Sequence, residues 1–264
     1  MKKKFISSIL IILSFIGCEK DDFSAIEKDK NKKTDLNKII SFLPELVYEE
    51  WAPHFERIDL ETGQVLYEPG RALRHLYFPL TAIVSWVHVL ENGSSSDVAM
   101  IGREGMIGIY LLMGASQTYN SAVVLKAGSA IRINLSVVLN SFNQGNAVQK
   151  VFLRFTQNLM TQMSQGAVCH RHHTLEQQLC RMLLMVLDRQ DGNDITMTHE
   201  LMAKFLGVRR EGITQAARRL MEENTISYTR GHVVVHDRKS LEKRSCECYD
   251  IIKNDQDNYI KLNH

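Results

Sequence analysis

The sequence has few cysteines, and their number excludes a disulfide framework. Cysteine occurs five times in 264 residues, and an odd count at low density is not the pattern of a disulfide-stapled domain. Cys180 falls among leucines at a helical core position, which predicts a small buried hydrophobe. Cys246 and Cys248 are separated by one residue, and no second pair has ligand spacing. Two ligands do not form a zinc site, so we expect no bound metal.

A strong net charge is also missing. The formal net charge of the chain is +2, which excludes a polycation that coats nucleic acid without specificity. Charge is concentrated locally instead. Between Lys204 and Arg219, five basic residues face one acidic residue, a net charge of +4. A basic patch on a nearly neutral chain favours a specific reader of DNA.

Catalytic motifs are absent from the sequence. It contains no glycine-rich phosphate loop, no nucleophile elbow and no paired zinc spacing. The run 170–173, HRHH, lies at a helix junction, and we interpret it as a polar hinge, with a metal site as the alternative. We therefore expect that the protein is not an enzyme.

The N-terminal residues resemble an export signal. Three lysines precede the 13-residue apolar run Phe5–Gly17, which is too short for an ordinary transmembrane helix but fits the core of a signal peptide. Cys18 follows as in a bacterial lipoprotein, and residues 19–35 form a charged tether. One hypothesis is therefore a membrane-anchored barrel, held through Cys18, that binds a small ligand. The other is a cytoplasmic protein, which we favour because the DNA-binding pattern described below covers more residues.

Residues 36–136 predict a small helical segment followed by a β-barrel. The spacing is helical from Asp35 to Phe55, and Asn92-Gly93 between two β-type runs predicts a hairpin. Several short strands with turns at this spacing indicate a barrel or jelly roll. The predicted strands cover residues 65–69, 75–80, 82–90, 97–101, 121–127 and 129–135.

A single long helix is predicted over residues 137–172, where no proline interrupts the helical spacing. Its apolar stripe recurs in alternating fours and threes. Two interpretations remain: the helix packs on its own barrel, or it pairs with the same helix of a second subunit. We favour the second. The stripe consists of Val148, Phe152, Phe155, Leu159, Gln162, Gly166 and Cys169.

Residues 173–249 predict a winged helix-turn-helix. Thr198 can cap a first helix, and Gly207 can form a left-handed turn before a second helix that fits a DNA major groove. Arg230-Gly231 joins two β runs as a hairpin, the wing. Residues 250–264 are expected to be a tail. The outward positions of the second helix hold Arg209, Arg210, Glu211, Thr214, Gln215 and Arg218.

This order of helix, barrel, long helix and winged helix-turn-helix resembles the Crp–Fnr family of bacterial transcription regulators. The resemblance runs from about Leu36 to Tyr249. It implies an α+β protein with a double-stranded β-helix (jelly-roll) sensor domain, a dimerisation helix and a DNA-binding domain. It also implies a homodimer on a near-palindromic site of double-stranded DNA, with RNA polymerase as a further partner. The segments that carry it are 63–70, 75–80, 173–184, 201–220 and 244–249.

The resemblance also assigns roles to the DNA-binding residues. Arg210, Glu211 and Gln215 stand where family members read bases, and Arg209 stands where a small hydroxyl N-cap is common. Arg209 is therefore expected to bind phosphate. The full set of expected DNA contacts is Lys204, Arg209, Arg210, Glu211, Thr214, Gln215, Arg218 and Arg230.

Cofactor sites known in the family are not matched here. Ile109 replaces the acidic residue that holds the ribose of cyclic AMP, and Asn120-Ser121 replaces the arginine pair that neutralises its phosphate. A buried phosphate without a positive partner is costly, so cyclic-nucleotide binding is not expected. Only Cys18 is available for an N-terminal iron–sulfur cluster, and His75 and His88 are interpreted as structural or surface residues rather than haem ligands. We expect no cofactor, and the sequence leaves any effector unassigned.

Overall fold

The structure is a computed structural model that describes residues 36–262, except 92 and 94. The signal-like segment 1–35, with Cys18, and Asn92 of the expected hairpin turn lie outside the described residues. The chain enters through α1 (Lys38–Ser41), α2 (Glu45–Trp51) and a 3-10 turn (Ala52–His54). Asn37 ties this entry to the barrel, because its amide donates hydrogen bonds to the carbonyls of Pro79 and Gly105 at 2.9 and 2.7 Å.

Seven strands form a barrel of two antiparallel sheets. One sheet has the order β1-β7-β3 and the other the order β2-β6-β4-β5. The jelly-roll expectation is confirmed, and strand β1, whose alternation is masked by charged residues, is an addition to it. The strands are β1 (Glu56–Leu60), β2 (Val65–Tyr67), β3 (His75–Pro79), β4 (Ile83–Val89), β5 (Ser95–Ile101), β6 (Ser121–Lys126) and β7 (Gly128–Asn134), and the short helix α3 (Ile109–Leu112) lies between β5 and β6.

The long helical region is two helices, not the single helix predicted from residue 137. Helix α4 covers Leu135–Asn143 and α5 covers Asn146–His172. Gly145 separates them at φ 79° and ψ −151°, a backbone conformation outside the helical region that glycine adopts without steric cost. None of the helices in the described residues combines the length and hydropathy needed to cross a bilayer.

The apolar stripe of α5 packs inside its own chain, so the favoured intersubunit seam is wrong for this face. Phe152, Phe155 and Leu159 are at most 4% exposed and belong to the barrel core. Gln162 caps the edge strand β5, exchanging two hydrogen bonds with the backbone of Met100 at 2.6 and 3.1 Å. Periodicity shows that a helix face is buried but does not show what covers it.

The expected C-terminal tail is a helix. Helix α10 covers Glu247–Leu262 and packs along α5, where Asp255 accepts hydrogen bonds from Gln157 and Asn158 at 3.0 and 2.8 Å. Its buried side chains recur in threes and fours, the spacing of an amphipathic helix. They include Tyr249, Ile252, Gln256 and Tyr259.

The remaining elements form the winged helix-turn-helix. Thr174 begins α6 with the capping box expected from the sequence, in which Thr174 and Gln177 satisfy each other's backbone groups. The strands pair antiparallel in the order β8-β10-β9. The elements are α6 (Leu175–Leu187), β8 (Asp194–Thr196), α7 (His199–Leu206), α8 (Arg210–Glu222), β9 (Ile226–Thr229), β10 (His232–Val235) and α9 (Arg238–Arg244).

The barrel and the DNA-binding domain share a packed boundary. Ile83, Met100 and Leu125, on the outer side of the barrel, are buried in the same cluster as the leucines of α6. A buried ion pair crosses the boundary, with Arg189 Nε 2.7 Å from Glu104 Oε1. The DNA-binding domain is therefore fixed on the barrel rather than tethered to it.

Candidate nucleic-acid interface

Helices α7 and α8 form the helix-turn-helix predicted from the sequence. The Thr198 hydroxyl accepts a hydrogen bond from the Leu201 backbone N–H at 3.1 Å, which caps α7. Gly207 ends α7 in the left-handed conformation, at φ 66° and ψ 32°. Ala203 and Ala216 are at most 5% exposed, and their small side chains let the two helices approach closely.

All eight residues expected to contact DNA are exposed to solvent. Five of them lie on α8 at positions spaced by one, three or four residues, which places them on one face of the helix. The opposite face carries Ile213, Ala217 and Leu220, which are at most 2% exposed. The exposed residues are Lys204, Arg209, Arg210, Glu211, Thr214, Gln215, Arg218 and Arg230.

The cations of this surface differ in their intrachain partners. Lys204 Nζ lies 3.9 Å from a carboxylate oxygen of Glu200, and Arg218 Nε lies 2.9 Å from Glu222. Exposed pairs of this kind contribute about 0.3–0.5 kcal/mol, so a phosphate can replace the carboxylate at small cost. No ion pair is recorded for Arg209, Arg210 or Arg230 within the described part of the chain. Their charge is available to a ligand.

The wing is a two-residue hairpin between β9 and β10. Arg230 and Gly231 both have positive φ, 48° and 89°, as a type I′ turn requires. The Gly231 carbonyl accepts a hydrogen bond from the Met197 N–H at 2.7 Å, which ties the wing to the start of the helix-turn-helix. The wing presents Arg230 at its tip, as the sequence predicts.

Two residues that the sequence analysis missed support this surface from behind. His199 stacks on Tyr228 of the wing with ring centroids 3.9 Å apart, and its Nδ1 lies 3.1 Å from the Thr214 hydroxyl on α8. Burial, and then the charge of Arg210, lower the pKa of His199, so the ring is neutral at pH 7. The position of His199 directly after the Thr198 cap was the feature of the sequence that could have identified it.

A carboxylate holds the recognition helix in place. Glu176 on α6 accepts hydrogen bonds from Arg219 of α8 at 3.5 Å and from Arg244 of α9 at 2.7 Å. Arg244 also pairs with Glu223, just beyond the end of α8. These ion pairs connect α6, α8 and α9 to one another.

The barrel presents aromatic and aliphatic groups around Ile109, the residue expected from the sequence to replace a ribose-binding acid. Ile109 is 3% exposed, and the Asn120 side chain lies 3.1 Å from His88 Nδ1 at the exposed end of β4. Tyr110 contacts Trp86 and Tyr67, with ring centroids 5.6 and 6.3 Å apart. The aromatic rings and Ile109 offer hydrophobic packing and no charge.

Cysteines and a histidine meet at the junction of the two domains. Spacing in the sequence shows no second ligand pair for Cys246 and Cys248, but the fold brings Cys169 and His173 beside them. Cys169 Sγ and Cys246 Sγ lie 3.5 Å apart and share a hydrogen bond, which is the main reason why the pKa of Cys246 is lowered and that of Cys169 is raised. His173 belongs to the run 170–173, which was expected to be a polar hinge, and its imidazole lies beside the thiols.

Comparison with known families matches both parts of the chain. Residues 57–144 match the model of the cyclic nucleotide-binding domain, and residues 177–244 match that of the Crp-like helix-turn-helix domain. The two matches coincide with the barrel and with the DNA-binding domain.

Individual relatives are distant in sequence and similar in fold. The global nitrogen regulator of Nostoc sp. is 21% identical over 193 residues, which cover 70% of this chain and 86% of the relative. A protein of Eubacterium rectale described as a Crp/Fnr family regulator has a TM-score of 0.62 at 16% identity, covering 77% of this chain and 95% of its own. FixK2 of Bradyrhizobium japonicum has a TM-score of 0.62 at 14% identity, and the match covers 73% of this chain and 98% of FixK2.

Proposed function

Because the chain belongs to the Crp–Fnr family and is a DNA-binding transcription regulator, we propose that it acts as a homodimer on a near-palindromic site. The observation that carries the DNA-binding part of this proposal is the exposed face of α8 and its N-cap, where Arg210 and Arg209 make no ion pair within the described residues. A helix of this width enters the major groove, where base edges can be distinguished.

The proposal divides the surface into base-reading and phosphate-binding residues. Arg210, Glu211 and Gln215 read base edges, and an arginine–guanine contact contributes about 1–3 kcal/mol of discrimination. Thr214, oriented by His199, adds a hydroxyl at the same face. The residues that bind mainly phosphate, and so make binding depend on salt, are Lys204, Arg209, Arg218 and Arg230.

A second face of α5 supports the homodimer. Leu153, Met160 and Met163 are 58%, 63% and 36% exposed. With Thr156 and Ala167 they follow the alternating three and four spacing of a coiled-coil seam, on a different side from the stripe covered by α10 and the barrel. Pairing of this face with its copy would place two recognition helices on one duplex.

We further propose that the sensor domain does not respond to cyclic AMP. A cyclic nucleotide-binding domain is present, so an effector of another chemistry is compatible with the fold. Ile109 offers no hydrogen bond to a ribose, and Asn120-Ser121 offers no positive charge to a phosphate. Titration of the purified protein with cyclic AMP should show no saturable heat, whereas micromolar binding would contradict this part of the proposal.

We also propose that the protein acts in the cytoplasm, with RNA polymerase as a further partner. It is proposed to catalyse no reaction. A chromosomal target supports this location. Fusion of residues 1–30 to an export reporter tests it, because export of the reporter would favour the membrane-anchored alternative through Cys18.

Selection from a pool of randomised duplexes tests the proposed function. The purified protein should enrich an inverted repeat whose half-sites are centred about 10–10.5 base pairs apart, the repeat of the major groove. Enrichment of a single asymmetric site would contradict the dimer, and the absence of any enriched sequence would contradict specific recognition.

A further inference from the structure

We propose that Cys169, His173, Cys246 and Cys248 form a binding site for a single Zn²⁺ ion that locks the end of α5 to the start of α10. These four residues are the group in the described part of the chain whose donor atoms all lie within 4.8 Å of one another. Three thiolates and an imidazole are a donor set typical of structural zinc. The site is separate from the DNA-reading face of α8.

Two distances between donor atoms are close to those around a tetrahedral ion, and all four donors lie within 4.8 Å of one another. Cys169 Sγ lies 3.5 Å from Cys246 Sγ, and Cys248 Sγ lies 3.6 Å from His173 Nδ1. With Zn–S bonds of about 2.3 Å and a Zn–N bond of about 2.0–2.1 Å, a tetrahedron separates two sulfurs by about 3.8 Å and a sulfur from a nitrogen by about 3.6 Å. An ion can therefore enter with small adjustments of the side chains.

The imidazole is oriented as a zinc ligand requires. His173 Nε2 lies 3.3 Å from Glu247 Oε2, so this nitrogen can donate its proton to the carboxylate while Nδ1 faces the thiols. Histidines that bind metals usually donate their second N–H to a carboxylate or carbonyl, which fixes the ring and its tautomer. Glu247 stands between the two C-terminal cysteines, so one short segment supplies two ligands and the residue that orients a third.

The backbone around the cluster is also fixed. Cys169 and His173 are one helical turn apart at the end of α5, where the His173 N–H donates to the Cys169 carbonyl at 3.0 Å. The Gln178 amide donates to the His173 carbonyl at 2.9 Å. The ligands are thus held in place by two structural elements before any ion binds.

Burial distinguishes this cluster from ordinary buried cysteine. Cys169, Cys246 and Cys248 are at most 4% exposed and form a buried cluster of their own. Cys180 is equally buried, but it packs among the leucines of the DNA-binding core, as a small hydrophobe does. Cys180 therefore provides a matched control within the same domain.

A buried cation complements the charge of the occupied site. Zn²⁺ with three thiolates and a neutral imidazole has a net charge of −1. Arg181 is 2% exposed, and its Nε has no hydrogen-bond partner within the described part of the chain. A buried charge is stabilised by groups of opposite sign, and a zinc–thiolate centre of charge −1 would be such a group. Four protein ligands leave no open position, so the site is structural rather than catalytic.

Metal analysis of the full chain, produced with zinc and purified under reducing conditions, tests the proposal. Elemental analysis should find one equivalent of zinc per chain. The variants Cys246→Ser and Cys248→Ser should lose it, whereas Cys180→Ala should retain it. Replacement of zinc by Co²⁺ should give the absorption bands of a tetrahedral, thiolate-rich site. Circular dichroism shows whether each variant remains folded. Loss of zinc from a folded variant can then be distinguished from loss of zinc that unfolding causes.

A substitution of a residue that is not itself a zinc ligand tests the proposal without disturbing the fold. Glu247 is 72% exposed, so Glu247→Ala should leave the fold intact and weaken zinc binding about 10-fold or more, as loss of a residue that orients a ligand does. Asp250→Ala, in the same first turn of α10, should leave the affinity unchanged. A wild-type chain that takes up no zinc or cobalt, or a native Cys169–Cys246 disulfide found by mass spectrometry, would overturn the proposal, as would zinc retained in full by both serine variants.

Discussion

At the scale of single residues, the proposed phosphate contact of Arg209 is expected to strengthen DNA binding at the expense of the stability of α8. It is the N-cap of α8, and its side chain makes no capping hydrogen bond. Serine, threonine, asparagine or aspartate at such a position stabilises a helix, typically by about 1 kcal/mol relative to a residue that cannot cap. The start of α8 therefore lacks a side-chain cap and has a cationic side chain in its place.

Replacing Arg209 by serine should separate these two effects. The Arg209→Ser variant should unfold at higher denaturant concentration, because its hydroxyl caps α8, and should bind DNA more weakly on every sequence. The slope of log affinity against log salt should fall by about 1, the contribution of one phosphate contact. Arg209→Ala is the control, which should weaken binding equally without gaining stability. A serine variant with unchanged affinity would rule out the phosphate role.

Asp97 should make folding stability depend on pH. Burial raises the pKa of this carboxyl to about 7 despite a hydrogen bond from Ser85 at 2.7 Å and the charges of Arg181 and Arg189. The folded state therefore holds a proton that the unfolded chain releases above about pH 4. Stability from this group is present below pH 4 and is lost as the pH rises from about 4 to 7.

The Asp97→Asn variant tests this pH dependence. Denaturant unfolding between pH 4 and 7 should show stability of the wild-type chain falling by up to about 1.4 kcal/mol per pH unit from this group, and the variant should lose that component. Asparagine retains an acceptor for the Ser85 hydroxyl, so its fold should be preserved. Parallel pH profiles of the two proteins would show that folding does not raise the pKa of Asp97.

At the scale of elements, α5 has one buried face and a second face with exposed apolar side chains. The first packs on the barrel and α10, and the second carries exposed Leu153, Met160, Met163 and Ala167 beside half-buried Thr156. An exposed stripe with this spacing indicates a partner helix. We expect the dimer to depend on this second face and to be insensitive to the surface opposite it.

A charged substitution should therefore separate the two subunits. Met160→Glu places like charges against each other in a parallel pair, so sedimentation at micromolar concentration should show monomers and binding to the inverted repeat should weaken at least about 10-fold. Ala147→Glu adds the same charge on the opposite, exposed surface of α5 and should remain dimeric. If both variants are dimeric, the subunits do not contact each other through this face of α5.

At the scale of the whole molecule, the buried pair Glu104–Arg189 joins the barrel to the DNA-binding domain. The two side chains are 7% and 1% exposed, and Arg189 also donates to the Met185 carbonyl at 2.9 Å. A cleft of about 360 Å³ opens beside this pair, lined by residues of both domains. Because both side chains are largely buried, loss of one partner leaves a buried charge without its counter-ion.

Removal of one partner should cost more than removal of both. Arg189→Met should lower the free energy of unfolding by about 3–5 kcal/mol. The double variant Glu104→Gln/Arg189→Met should recover most of this loss, because no buried charge remains. Urea unfolding of the four proteins measures the coupling, and additive losses would contradict a direct interaction between the two side chains.

The sequence predicted the elements whose signals are local. The helix-turn-helix follows from Thr198, Gly207 and the spacing between them, and the wing follows from Arg230-Gly231, all within about forty residues. The partner of each α5 face did not follow, because periodicity marks a face as apolar without identifying its neighbour. The cysteine cluster was missed for a related reason. Cys169 and Cys246 are 77 positions apart, and only packing of α10 on α5 brings them together.

Measurement of the specificity ratio for Arg210→Ala tests the central claim most directly. Affinity for the selected inverted repeat and for a scrambled duplex is measured at one fixed salt concentration, for the wild-type chain and the variant. The account predicts that the variant loses preference for the repeat while keeping salt-dependent binding to both duplexes, because Arg210 reads a base and other cations bind phosphate. An unchanged ratio would show that α8 does not read the sequence through this residue.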